Sequence, residues 1–72
     1  MSPEKMVMMA NQIATFFHSQ PNEDQAQSIA DHLNDFWEPR MRQQLATYVT
    51  AGGKGLDALV LKALPKVRVP DE

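Results

Sequence analysis

Apolar positions recur at helical spacing in four successive stretches of this chain. The first opens on Ser2-Pro3-Glu4, where Ser2 suits the cap, Pro3 the first helical position and Glu4 the positive end of the helix dipole. Its stripe is Met6, Met9, Ala10, Ile13, Phe16 and Phe17, and Pro21 places its end at or before Gln20. Val7 and Met8 fall off that stripe and read as ordinary surface apolars, with a second contact face as the alternative. The second stretch has a capping box, with Asn22 as cap and Gln25 three residues on. Its stripe, Ala26, Ile29, Ala30, Leu33, Phe36 and Trp37, is the cleanest in the chain.

Glu38 precedes a proline and so breaks the pattern. Pro39 then opens a third helix with the stripe Met41, Leu45, Tyr48 and Val49, stopped by Gly52-Gly53. A short fourth helix carries Leu56, Leu59, Val60, Ala63 and Leu64, and Pro65 ends it. No alternating strand pattern appears except at Val67 and Val69. The fold class predicted is all-α: a small bundle of three helices plus a short fourth, with an extended C-terminal tail. Residues 1–65 form a single helical domain, and residues 66–72 are a flexible tail, frayed or laid on a partner. Two stripes pair as a hairpin and the third closes the core.

Length changes this picture by making stability scarce. At 72 residues the chain is one domain, and domains of this size are marginal without disulfides, a metal or association. There is no cysteine, which removes disulfides and thiolate metal sites and leaves association, with a partner or with itself. The formal net charge of -2 gives no basic footprint for nucleic acid, and a helix-turn-helix reader would need a basic recognition helix. No run approaches the roughly 18 apolar residues of a membrane span. The N-terminus lacks the basic start and apolar core of a signal peptide. The chain reads as soluble and intracellular, with no nucleic-acid or membrane partner.

Candidate chemistry is sparse. His18 falls near the end of the first helix, where the dipole favours a cation, and His32 lies off the second stripe. Their spacing matches no metal motif. Asp24, Asp31, Asp35 and Glu38 run along one side of the second helix and read as a solvated face, or as an acidic docking edge. Gly52-Gly53-Lys54-Gly55 lacks the spacing and the preceding strand of a phosphate loop. No nucleophile–base pair can be assembled, so no catalytic, cofactor-binding or metal residue is assigned.

The densest stretch is Phe36-Trp37-Glu38-Pro39-Arg40-Met41-Arg42. Aromatics and arginine are the types most enriched at protein–protein hot spots. On the structural reading Phe36 and Trp37 fill the core and the arginines point to water. On the functional reading a partner takes an aromatic or an arginine. Arg40 and Arg42 diverge by roughly 200° on a helix and do not clamp one carboxylate together. The partner-binding candidates are Trp37, Arg40 and Arg42, with His32 and Asp35 on the adjacent helical surface.

MANQIATFF at 9–17, IADHLNDFWEPRMRQQL at 29–45 and GGKGLDALV at 52–60 together resemble the delta subunit of NAD-dependent formate dehydrogenases. FWEPRMR is the most specific part, and the tail after Pro65 carries no matching signature. The resemblance implies a cytoplasmic complex of several subunits. Its alpha subunit would carry a molybdenum or tungsten bis-pterin cofactor and iron–sulfur clusters. Its beta and gamma subunits would carry FMN and further clusters and pass electrons to NAD. This chain would then be a cofactor-free accessory subunit, docked on the alpha subunit and needed for assembly or stability. The rival expectations are a chaperone-like factor for bis-pterin insertion, using Arg40, Arg42 or helix-start amides on phosphate, and a self-associating helical module.

Overall fold

The computed structural model describes residues 2–20 and 24–70. The elements are α1 (Pro3–His18), α2 (Gln25–Phe36), α3 (Pro39–Thr50) and α4 (Ala58–Ala63), followed by a 3-10 turn at Leu64–Lys66. Among the described residues there is no strand. The all-α class predicted from the stripes is the one observed.

Each helix start has a local cause. The Ser2 hydroxyl accepts from the Lys5 N–H at 3.2 Å, and Pro3 occupies the first turn of α1. The cap of α2 is Asp24, which accepts from the Gln27 N–H at 3.1 Å. Asn22, the cap read from the sequence, lies outside the described residues, as does Pro21. Asp57 caps α4, accepting from the Leu59 N–H at 2.9 Å.

The stop of α3 is a Schellman turn. The Gly52 N–H donates to the Val49 carbonyl and the Gly53 N–H to the Tyr48 carbonyl, each at 3.0 Å. Gly53 has φ +62°, and a Cβ there would sit 3.0 Å from Leu61 Cδ2. The left-handed backbone therefore favours glycine at this position, and a Cβ would also push the Leu61 side chain aside.

The core contains Met6, Ala10 and Ala14 of α1, Ile29, Ala30 and Leu33 of α2, then Trp37, Leu45, Val60, Ala63 and Val67. Alanines at 10, 14, 30 and 63 let helix backbones come close. α2 makes its closest approach to α4 and also lies against α1, which itself meets α4. α3 stands further off and reaches the core with Leu45, aided by Met41, Tyr48 and Val49. So it is α4, rather than the third stripe, that closes the α1–α2 pair.

α4 ends at Ala63, ahead of Pro65 as expected, and Pro65 sits inside the 3-10 turn that follows it. Beyond it the tail is packed rather than loose. Val67 is buried and Val69 rests against the core, while Asp71 and Glu72 lie outside the described residues.

Two asparagines hold the segments on either side of α4. Asn11 donates from Nδ2 to the Gly55 carbonyl and accepts the Asp57 N–H on Oδ1, both at 2.8 Å. Asn34 donates to the Lys66 carbonyl at 3.3 Å and accepts the Arg68 N–H at 2.7 Å. In each case one side-chain amide satisfies a carbonyl and an N–H two residues apart, as a neighbouring strand would.

Candidate docking surface

The corner between α2 and α3 decides which side chains face outward. Pro39 forbids helical geometry at the residue before it, and Trp37 and Glu38 are both extended, with ψ 138° and 150°. α2 therefore ends without a glycine, and its last carbonyls need other donors. Arg42 supplies them. Its Nη1 donates to the Trp37 carbonyl at 2.5 Å and the Asn34 carbonyl at 3.3 Å, and its Nε donates to the Arg68 carbonyl at 2.6 Å. A cation at the C-terminus of α2 also suits the helix dipole.

The five sequence candidates separate accordingly. Trp37 is buried, at 6% exposure, and Arg42 is half-buried and bonded within the chain. Arg40 and Asp35 are exposed, and neither side chain makes a hydrogen bond or ion pair among the described residues. His32 is half-buried and lies among rings. The structure thus brings His32 and Trp37 to one groove and sends Arg42 to the tail side of the corner.

Sequence reasoning placed Phe16 and Phe36 in the core, and both are exposed, at 60% and 74%. They belong to a continuous aromatic surface. Phe16 and Phe17 meet edge to face at 5.0 Å, Phe17 lies 6.4 Å from His32, and His32 lies 4.8 Å from Phe36. Between α1 and α2 this surface encloses an open groove of about 350 Å³, lined by Met9, Gln12, Ile13, Phe16, Phe17, His32 and Trp37. The signal that could have revealed it was in the spacing. Phe16 and Phe36 each sit at the edge of a stripe whose fully buried positions are Met6, Ala10 and Ala14 in α1 and Ile29, Ala30 and Leu33 in α2.

The other histidine has a structural post. His18, in the last turn of α1, meets the Asp57 carboxylate at 3.1 Å. Asp57 also receives the Leu59 N–H, and that bond, with help from His18 and against partial burial, holds its carboxyl below the ordinary 3.8. Among the described residues, no three of His, Asp and Glu gather as they would around a metal ion. No helix there is long and apolar enough to cross a membrane.

This geometry describes a small helical scaffold presenting an aromatic groove, with the acids of α2 beside it. The family model for the NADH-dependent formate dehydrogenase delta subunit, FdsD, matches residues 5–64. The chain belongs to that family. The match spans all four helices and stops at Leu64, just short of the tail that Asn34 and Arg42 tie down. No curated protein matches the chain in sequence.

Proposed function

We propose that this chain is a non-catalytic accessory subunit of a cytoplasmic, NAD-dependent formate dehydrogenase, held on the large catalytic alpha subunit and needed to assemble or stabilise the complex. The family match over residues 5–64 carries the reading. The chain's own chemistry agrees with it: its histidines and acids serve as caps, a ring contact and a solvated face, and it contains no cysteine for a cluster. On this reading the bis-pterin metal, the iron–sulfur clusters, FMN and NAD are held by the other subunits.

The test is the complex expressed with and without this chain. Without it, the remaining subunits should be recovered in lower yield or lose activity faster on warming. Stripping the chain from finished enzyme should accelerate inactivation in the same way. If stripped enzyme keeps its full activity and stability while enzyme made without the chain lacks cofactor, the chaperone reading replaces this one.

A further inference from the structure

Among the surfaces of the molecule, the aromatic groove is the one whose surroundings specify an occupant. A second groove of about 400 Å³, bounded by Pro3, Met6, Gln44, Thr47 and Tyr48, has only neutral walls and selects no partner by charge. The aromatic groove differs on two counts. Its rim rings, Phe16 and Phe36, are more than half exposed, an arrangement that leaves large apolar area in water. And the helix that carries Phe36 has no lysine or arginine between Gln25 and Phe36.

Its exposed acids are Asp31 and Asp35, followed by Glu38 at the corner. Asp31 accepts a hydrogen bond from Gln27 at 2.9 Å, and Asp35 has no bonded partner among the described residues. Asp24, one further acid, is engaged at the start of α2, where it caps the helix and pairs with Lys66 at 3.7 Å. The groove walls themselves contain no lysine or arginine. A second copy of this face would therefore bring apolar area but nothing to pair with Asp31 and Asp35. The same acids work against two copies meeting here and favour a partner that supplies positive charge.

Resting on the reading that the chain docks on the large subunit, we propose that the contact is this groove. Its occupant is a segment of the large subunit that inserts a bulky apolar side chain between Phe16 and His32 and sets lysine or arginine against Asp31 and Asp35. Phe36 closes over the inserted side chain, and Trp37 forms the floor from within the core. Burial of the rings supplies the affinity, and the acidic strip fixes orientation and partner choice.

The experiment uses the whole complex, purified through a tag on the large subunit. A photo-crosslinking residue at position 36 is expected to join this chain to the large subunit, and the adduct should map to a peptide containing lysine or arginine. Phe16→Ala with Phe36→Ala should lower the amount of this chain retained at least tenfold. Asp31→Lys with Asp35→Lys should do the same more strongly at low salt than at high salt. Circular dichroism of each purified variant verifies that the helices survive. Leu61→Ala, on α4, is the exposed apolar control and should be retained normally. A crosslink to a second copy of this chain, or full retention of both double variants, overturns the groove as the dock while leaving the subunit reading intact. If the unaltered chain fails to co-purify at all, it is the subunit reading that falls.

Discussion

The two sides of α2 are built on opposite rules. On one side Asn34 and, through the corner, Arg42 hold the tail with hydrogen bonds at 2.5 to 3.3 Å, and the polar groups named there find partners within the chain. On the other side His32 and Phe36 present rings to an open groove. Neighbours in sequence go to different sides, because successive residues on a helix are turned by roughly 100°. Phe36 is 74% exposed and Trp37 is 6% exposed. Arg40 points to solvent and Arg42 is tied inward. The side that holds the tail uses directional bonds to backbone, and the groove side leaves apolar ring area in water.

The sharpest test of that division is the adjacent aromatic pair. Trp37→Ala should cost about 3–5 kcal/mol, the range for emptying a large buried side chain, and in a domain this small it should abolish cooperative unfolding at room temperature. Phe36→Ala should stay within about 0.5 kcal/mol, as exposed positions do. Urea titration of the purified chain, read by far-UV circular dichroism, measures both. Equal losses would mean that the exposed aromatic surface is part of the fold, and the comparison would collapse.

The arginines come next. Arg42→Ala should destabilise by about 2 kcal/mol, because the end of α2 loses charge-assisted bonds to half-buried carbonyls. Arg42→Lys should recover only part of it, since an ammonium lacks the planar fork that reaches the Asn34, Trp37 and Arg68 carbonyls together. Arg40→Ala should leave the midpoint unchanged. If Arg40 and Arg42 prove equivalent in the same titration, the tail is held by Asn34 and the packing of Val67 without help from Arg42.

Much of this frame could be read in the chain beforehand, and the failures share a cause. Helix number, Ser2 and Pro3 at the first start, Pro39 at the third and the glycine stop are local signals, decided within a turn or two of backbone. What spacing alone does not settle is how wide a stripe is covered. The stripe in α2 runs from Ala26 to Trp37, but α4 is only six residues long, and it covers the centre of that stripe and leaves the edge bearing Phe36 open. The asparagine clamps were equally invisible. Asn11 bonds residues 44 and 46 positions away, and Asn34 bonds residues 32 and 34 away. No local pattern marks such an asparagine apart from any solvent-facing one. Around the groove, His32 and Asp35 read correctly as helical surface beside the stripe, whereas the stripe rule assigns the exposed Phe16 and Phe36 to the core.

The clamps themselves give a smaller effect than the arginine, because their partners are neutral. Asn34→Ala and Asn11→Ala should each cost about 1–2 kcal/mol, through loss of a donor–acceptor pair to backbone. Their signatures should differ by place. Amide hydrogen exchange should quicken at Arg68 for Asn34→Ala and at Asp57 for Asn11→Ala, with the distant clamp left protected. Asn34→Asp should keep the Arg68 bond and lose the one to Lys66. Uniform acceleration in every variant would show that the two ends of α4 open together and do not act as separate clamps.

The weakest expected effect belongs to the contact between α1 and α4, and it depends on pH. The Leu59 N–H, then His18, hold the folded carboxyl of Asp57 below its ordinary 3.8. The unfolded chain therefore takes up the proton first as the solution is acidified. The stability contributed by ionised Asp57 is complete above that ordinary value and fades as the pH falls through the lower, folded one. Between neutral pH and about pH 5 this group should contribute no slope, and below about pH 4 the urea midpoint should drop. Asp57→Asn keeps an oxygen to cap α4 but carries no titrating charge. Its midpoint at neutral pH should be slightly lower, and its loss on acidification should be shallower than that of the unaltered chain. Identical acid slopes in the two proteins would assign the decline to other carboxylates and leave His18–Asp57 as a surface contact without consequence for the bundle.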